Sequence, residues 1–202
     1  MATVASVMRG LLSRPPRNGR YYAVAIDGRG GSGKSTLAGA VQDHLNGWTV
    51  IAGDGYFEPL SDGERTISPS GFTIWGGFND RRFQEDVLNR VVRGEPPALQ
   101  PYSYAHQAYE TPSVLRVESG IVIERCFTFA MPVEWDARIW VETPRDVCLA
   151  RALVREELPR EQVRAVWEEV WQVEEDAYIT ATHPSGMADC IVDGRLPVLD
   201  QL

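Results

Sequence analysis

Short hydrophobic runs alternate along this chain with longer segments in which apolar positions recur at helical spacing. The runs are rich in β-branched and aromatic residues and often end in glycine or an acid, which is typical of buried strands. Strands are predicted near residues 21–27, 48–54, 114–117, 120–124, 137–143 and 188–194, with a turn at 118–120 between the third and the fourth. Because strands and helices alternate, the pattern predicts an α/β fold with a mostly parallel sheet covered on both faces.

The helical segments lie between those strands, with a short N-terminal helix before the first of them. Helices are predicted at residues 34–47, 81–94, 144–159 and 159–184. The last is expected to bury one stripe of apolar residues, comprising Val163, Val166, Trp167, Val170, Trp171 and Val173. Two long segments, 55–80 and 95–113, read as loops, and loops of that length in a compact domain are usually functional or mobile.

Length and composition limit the classes of protein to consider. A chain of 202 residues with 44% hydrophobic residues fits one domain, which is predicted to span 1–202. Within it, residues 1–20 are expected to form an N-terminal helix and loop, and residues from about 144 to 164 a lid. The net charge of −8 argues against a nucleic-acid partner. No apolar run approaches the roughly 20 residues of a membrane span. Three cysteines without CxxC spacing indicate reduced thiols in a cytoplasmic protein. Whether the protein forms a homo-oligomer is left open by the sequence.

The stretch GRGGSGKST carries the strongest chemical signal. It fits GxxxxGK[ST], the P-loop, and lies between a predicted strand and a predicted helix, as a phosphate cradle must. Lys34 is the only lysine among 20 basic residues, which makes its place in this motif informative. In a P-loop the lysine ammonium is expected at the β- and γ-phosphates, and the hydroxyl of Ser35 is expected at Mg²⁺. The predicted nucleotide-binding residues are Gly28, Arg29, Gly30, Gly31, Ser32, Gly33, Lys34, Ser35 and Thr36.

Further residues are needed for phosphoryl transfer, and they are expected at the carboxyl ends of strands. Asp54 is the predicted catalytic base and Glu124 the predicted acid near Mg²⁺, so that Ser35, Asp54 and Glu124 would serve the metal. Arg151 and Arg155 are four residues apart on one helical face and would close on the transferring group. A GTPase reads guanine with an N/T-K-x-D motif, which a chain without a second lysine cannot contain.

With these segments in order, the chain resembles the uridine kinase-like branch of P-loop kinases, which includes pantothenate kinase and phosphoribulokinase relatives. The similar segments are AVAIDGRGGSGKST, GDGYF, GGFNDRRFQEDVL, PYSYAHQ, IVIER, LARALVRE and EEDAYI. The resemblance implies a P-loop NTPase fold, a five-stranded mostly parallel sheet of order 2-3-1-4-5 flanked by helices, and a small helical lid. It also implies ATP and Mg²⁺ as cofactors and an alcohol as phosphoryl acceptor.

The chain departs from the family pattern on the acceptor side. Asn79, with Asp80 next to it, stands where the family has an aspartate, and Ser103 stands where it has another. The family histidine aligns nearer Gln107, and its alignment with the adjacent His106 through a one-residue shift stays open. Arg125 replaces a glycine. The residues predicted to line the acceptor site are Tyr56, Phe57, Phe78, Asn79, Tyr102, His106 and Arg125, with the aromatics suited to stacking.

These observations predict an ATP-dependent kinase for a small molecule with a nucleoside-like or sugar-like hydroxyl. The alternatives are a kinase for another metabolite or an antibiotic, and a nucleotide-binding regulator that has no transferase activity.

Overall fold

A five-stranded sheet forms the centre of the protein. The structure is a computed structural model, which describes residues 3–56, 66–67, 73–74, 80–103, 106–156 and 159–201. The strands are β1 (Tyr22–Gly28), β2 (Trp48–Ala52), β3 (Gly120–Glu124), β4 (Ala137–Glu142) and β5 (Cys190–Asp193). All neighbours are parallel, and the spatial order is β2-β3-β1-β4-β5. The α/β class and the order 2-3-1-4-5 are therefore confirmed.

Helices cover both faces of this sheet. Four of them are continuous, namely α1 (Val4–Leu12), α2 (Lys34–His44), α4 (Arg145–Arg155) and α6 (Pro184–Met187). The other two, α3 and α5, each consist of three parts. Helix α3 comprises Asp80–Phe83, a π-helical part Gln84–Leu88, and Asn89–Val92. Helix α5 comprises Arg160–Val166, a π-helical part Trp167–Trp171, and Gln172–Thr182.

Short pieces of regular structure connect the helices and the sheet. Three antiparallel pairs join Thr66–Ile67 to Thr73–Ile74, Ala98–Leu99 to Ser113–Val114, and Tyr102–Ser103 to Ala108–Tyr109. Single 3₁₀ turns lie at Gly53–Tyr56, Thr128–Ala130 and Val198–Asp200.

The alternation of side chains along β1 explains why both faces need helices. Ala23 and Ala25 point into one apolar cluster, whereas Val24 and Ile26 point into another, and all four are buried. Successive side chains of a strand face opposite sides, so a strand that is apolar throughout must be covered twice. Helix α3 supplies the first cover and helices α1 and α2 the second.

Helix α5 corrects one expectation about its buried stripe. Val163 and Trp167 are buried as predicted, but Val166 is 42% exposed and Val173 is 51% exposed. The π-helical part adds a residue to a turn and thereby rotates the buried face of the last part of the helix. In that last part the buried positions are Gln172, Glu174, Glu175 and Tyr178, most of them polar.

Strand register brings the predicted site residues to one edge of the sheet. Glu124 at the end of β3 lies beside Ile26 of β1 and Ala52 of β2. The P-loop follows β1 and the Asp54 turn follows β2, so all three segments meet at the carboxyl edge, where open α/β sheets bind ligands. Across the part of the chain that is described, none of the helices combines the length and apolarity that a bilayer span requires.

Candidate functional site

The P-loop bends between β1 and α2 through conformations that favour glycine. Gly31 has φ +71° and Gly33 has φ +108°. A Cβ at Gly31 would also lie 2.8 Å from the carbonyl oxygen of Cys148 in α4. Substitution at Gly31 is therefore excluded both by backbone strain and by space. The loop ends where α2 begins at Lys34, so the positive end of the helix faces the concave side of the loop.

Lys34 is held inside this loop as a charged group. Its side chain is 6% exposed, and Nζ donates to the carbonyls of Gly28 at 3.1 Å and Arg29 at 2.8 Å. Nζ also lies 3.3 Å from Sγ of Cys126. Burial alone would lower the pKa of Lys34, but Cys126 and the carboxylates of Asp54 and Glu124 raise it above its ordinary value. A permanent ammonium therefore lies where an anion would enter.

Ser35 and Glu124 form the second part of the site. The Ser35 hydroxyl donates to Glu124 Oε1 at 3.1 Å, and Glu124 is 2% exposed. Burial raises the pKa of Glu124 to about 7, with Asp54 adding to the rise and Lys34 opposing it. Oε2 of Glu124 is buried and accepts no hydrogen bond in the described part of the chain. A buried carboxylate oxygen that accepts no hydrogen bond is costly unless a cation pairs with it.

The residues present fit Mg²⁺ supplied together with a nucleotide. Hydroxyl and carboxylate oxygens, from Ser35, Glu124 and Asp54, are ligands that Mg²⁺ prefers. Asp54 is exposed in the turn after β2 and lines the same cavity as Ser35. Over the described ranges no group of three or more His, Cys, Asp or Glu side chains could by itself hold a metal.

The two predicted lid arginines are placed differently. Arg151 donates through Nη1 to the carbonyls of Gly31 at 3.0 Å and Ser32 at 3.1 Å, and through Nη2 to the carbonyl of Gly194 at 2.7 Å. It therefore ties α4 to the P-loop and to the segment after β5. Arg155, one helical turn further, pairs with Glu156 at 2.8 Å on the surface. Both arginines line the same cavity as Ser35 and Asp54.

Asp27 is a buried carboxylate that was not among the predicted site residues. Its oxygens accept four hydrogen bonds: from the amides of Gly28 at 2.7 Å, Phe127 at 3.0 Å and Phe129 at 2.9 Å, and from the Tyr178 hydroxyl at 2.6 Å. Burial raises the pKa of Asp27, and the Phe129 amide, the Tyr178 hydroxyl, the Lys34 ammonium and the Gly28 amide oppose the rise. Asp27 thus ties the start of the P-loop to the 125–130 turn and to α5. The sequence signal that could have identified Asp27 is its position as an acidic residue at the end of an apolar strand.

Helix α5 also contacts the P-loop directly. Oε1 of Glu175 accepts the amide of Gly30 at 2.6 Å, and the Arg29 guanidinium pairs with Glu175 at 3.4 Å and with Asp176. Trp167 lies against the open side of Gly30, where a Cβ would come within 2.9 Å of its ring. Arg29, predicted to bind nucleotide, therefore directs its side chain to these carboxylates. The carboxylates that contact the P-loop lie after the π-helical part, which changes the helical period, so the pattern of apolar residues could not predict these contacts.

A cavity of about 850 Å³ joins these elements. It is lined by the P-loop and the start of α2, by the two lid arginines, by residues of the segment 194–198 after β5, by Asp54, and by side chains of the 125–130 turn and α5. The cavity is large enough for a nucleotide. Apart from Arg29, Gly28 and Ser32, the predicted P-loop residues line it, namely Gly30, Gly31, Gly33, Lys34, Ser35 and Thr36.

The predicted acceptor residues fall into three groups. Phe57, Phe78 and Asn79 lie outside the described residues. Tyr56 is 2% exposed, and its hydroxyl donates to Asp86 at 3.2 Å. Arg125 is fully buried with its guanidinium 5.0 Å from the centre of the Phe83 ring.

The other two acceptor candidates lie in the Tyr102–Ser103 and Ala108–Tyr109 hairpin. Tyr102 packs edge-on against Tyr109 with ring centres 5.5 Å apart. His106 is exposed, and its amide donates to the Ser103 hydroxyl at 3.4 Å. Their contact with an acceptor stays a prediction.

Comparisons with known proteins agree with this geometry. The chain is 24% identical over 137 residues to a uridine kinase of Borreliella burgdorferi, covering 66% of this chain and 66% of that protein. It is 28% identical over 149 residues to a uridine kinase of Saccharomyces cerevisiae, covering 69% of this chain and 30% of that protein. The chain thus spans just under two thirds of the Borreliella relative and less than a third of the yeast one. No family model matches.

Solved structures show the same fold. A protein assigned as a fructose transport system kinase from Silicibacter sp. TM1040 superposes with a TM-score of 0.68 at 20% identity, covering 95% of this chain and 98% of that chain. A protein assigned as a uridine kinase from Bacillus stearothermophilus superposes with a TM-score of 0.64 at 15% identity, covering 92% and 94%. Together with the sequence matches, they confirm the resemblance to uridine kinase-like P-loop kinases.

Proposed function

We propose that this protein is a Mg²⁺- and ATP-dependent kinase that transfers the γ-phosphate to a hydroxyl of a nucleoside-like or sugar-like small molecule. The observation that carries the proposal is the P-loop with its buried Lys34 ammonium, facing the Ser35–Glu124 pair and Asp54 across one cavity. The names of the relatives, uridine kinases and a fructose transport system kinase, support an alcohol as acceptor.

Nucleotide binding would use the end of the cavity near α2. Lys34 exchanges its contacts with the carbonyls of Gly28 and Arg29 for phosphate oxygens, and the amides of Gly33 to Ser35 face the same charge. The apolar segment Leu196–Val198 and the lid arginines bound the space left for the nucleoside part. Ser35 and Glu124 would hold Mg²⁺, which would supply positive charge against the phosphates of the nucleotide.

Asp54 is the group of this chain best placed to handle the acceptor proton. It is exposed to the cavity and follows β2, so its carboxylate can accept the hydrogen bond of an entering hydroxyl. The hydroxyl oxygen then forms a bond to the γ-phosphorus, the bond to the bridging oxygen breaks, and ADP leaves with that electron pair. Arg155, which now pairs with Glu156, is within the same cavity and would turn toward the transferring group on closure.

The proposal is tested by comparing Asp54→Asn with a matched surface variant, Asp43→Asn, whose side chain is exposed on α2. The Asp54 variant should lose about 100-fold or more in turnover, the range for removal of a general base, and still bind Mg·ATP. The Asp43 variant should behave as the wild type. If the Asp54 variant retained full turnover, the assignment of the base would be wrong. If the wild type transferred phosphate to no alcohol while binding ATP, the kinase proposal would fail.

A further inference from the structure

A carboxylate of the chain itself occupies an anion position at the P-loop. Oε1 of Glu175 in α5 accepts the hydrogen bond of the Gly30 amide at 2.6 Å, and Oε2 lies 3.4 Å from Nη1 of Arg29. Amides of glycine-rich loops are groups that bind phosphate oxygens. We propose that Glu175 is a specificity-determining residue that occupies the position of a terminal phosphate oxygen and is displaced when ATP binds, an inference that rests on the proposed use of ATP.

The carboxylate of Glu175 lies close to the group that is expected at the β- and γ-phosphates. Nζ of Lys34 donates to the carbonyl of Arg29, which belongs to the same peptide unit as the Gly30 amide. Sγ of Cys126 lies 3.3 Å from Nζ of Lys34 and 4.0 Å from Oε1 of Glu175. The amides at the start of α2 are expected to hold the phosphates nearer the nucleoside. An anion at the Gly30 amide therefore corresponds to the last phosphate of a triphosphate.

The groups that hold this carboxylate suit a phosphate oxygen equally well. Burial raises the pKa of Glu175, whereas the Gly30 amide, the Lys34 ammonium and the Arg29 guanidinium oppose the rise. An amide with two cations nearby is a donor set that proteins use for phosphate. Glu175 is 5% exposed, so solvent screens these charges poorly. One negative charge is stabilised at this position, and a second would be repelled.

Glu175 and a terminal phosphate therefore exclude each other at the Gly30 amide. The amide has one hydrogen, which the carboxylate already accepts, and two like charges side by side are strongly unfavourable. ATP binds only the fraction of molecules in which Glu175 has moved away, so its apparent affinity is lowered by that fraction. ADP has no third phosphate and leaves the carboxylate in place.

The displaced carboxylate keeps a partner. Glu175 already pairs with Arg29, so rotation of its side chain is sufficient to leave the Gly30 amide. Arg29 also pairs with Asp176, which pairs in turn with Arg145 at the start of α4 at 2.7 Å. These arginine pairs hold α5 beside the P-loop in either state. The contact between Glu175 and the Gly30 amide is thus broken by ATP and kept with ADP.

Glu175→Gln tests the inference through the sign of an affinity change. The side-chain amide of this variant can still accept from Gly30 but carries no charge. At mildly alkaline pH, where the carboxylate is ionised, calorimetry should show the Kd of a non-hydrolysable Mg·ATP analogue falling about tenfold or more, and that of Mg·ADP changing less than about threefold. Glu169→Gln, at an exposed carboxylate of the same helix, is the control and should bind both as the wild type does. Unchanged or weaker binding of the analogue by Glu175→Gln, or an equal gain for both nucleotides, would overturn the inference.

A second measurement needs no variant. In wild-type protein labelled with ¹⁵N-glycine, the Gly30 amide resonance should shift more with the ATP analogue than with ADP, because only the analogue replaces its acceptor. An equal or larger shift with ADP would overturn the inference.

Binding and turnover together separate the two proposals. Tighter binding of the analogue by Glu175→Gln, without phosphorylation of any alcohol by the wild type, would support the role of Glu175 and defeat the kinase proposal. Phosphorylation by the wild type, with no gain in affinity for the analogue in the variant, would overturn the inference while the kinase stands. Absence of nucleotide binding in both proteins would overturn both.

Discussion

Arg125 occupies the space that Gly53 leaves empty. A Cβ at position 53 would lie 2.5 Å from Cδ and 2.6 Å from Cβ of Arg125, closer than atoms of this kind approach. The fully buried arginine therefore packs beneath the turn that presents Asp54. The described contacts of Arg125 include Gly53, the Phe83 ring and the Cys126 carbonyl, and its contact with the acceptor stays a prediction.

Gly53→Ala should displace the Asp54 turn. The added methyl group meets the stem of Arg125, and overpacking of this kind costs about 1–3 kcal/mol of unfolding free energy. We expect kcat to fall about tenfold with little change in the Kd of ATP, because a misplaced base affects the chemical step. Gly39→Ala, at a helical glycine with open space around it, is the control and should retain activity. Arg125→Ala combined with Gly53→Ala should recover part of kcat, and a strictly additive double variant would contradict the packing account.

Asp27→Asn should destabilise the fold and loosen the P-loop. In the wild type, the Gly28 amide and the Tyr178 hydroxyl donate to the carboxylate of Asp27. The side-chain amide of the variant has an NH₂ group in place of one carboxylate oxygen, so some of these buried donors lose their acceptor. We expect a loss of about 2–4 kcal/mol, measured by urea unfolding. Tyr178→Phe removes one donor and should cost about 1 kcal/mol. An Asp27 variant as stable as the Tyr178 variant would show that the carboxylate does not organise the network.

Lys34 can be followed chemically because it is the only lysine in the chain. Acetylation by an amine-directed reagent at mildly alkaline pH should modify it slowly, since the side chain is 6% exposed and the pKa of its ammonium is raised. Mg·ATP should slow this modification further by covering Nζ, as measured by peptide mass spectrometry. The same rate with and without nucleotide would mean that ATP does not reach Lys34.

The raised pKa of Glu124 predicts how the free energy of unfolding depends on pH when metal and nucleotide are absent. Burial raises its pKa from the ordinary 4.5 to about 7, so between these values the folded protein holds a proton that the unfolded chain has released. The contribution of Glu124 to the free energy of unfolding therefore falls as pH rises through this window. Glu124→Gln cannot ionise and should flatten this part of the pH profile. A profile identical to that of the wild type would contradict the raised pKa of Glu124.

The sequence predicted those parts of the structure that local patterns determine. The five strands, their order through the family resemblance, and the P-loop between β1 and α2 follow from apolar runs, glycines and one lysine. The polar face of α5 could not be predicted, because a π-helical part rotates Glu174 and Glu175 inward against the expected period. The role of Asp27 depends on amides from a segment 100 residues away, as its bond to Phe127 shows. Long-range pairing of this kind leaves no local pattern.

Phosphoryl transfer from ATP to an alcohol is the central claim, and ³¹P NMR of the products tests it most directly. The wild-type protein is incubated with Mg·ATP and a panel of sugars, nucleosides and amino alcohols. We expect a phosphomonoester resonance that grows in step with ADP and is absent with Asp54→Asn. Formation of ADP with orthophosphate alone, whichever alcohol is added, would contradict the claim.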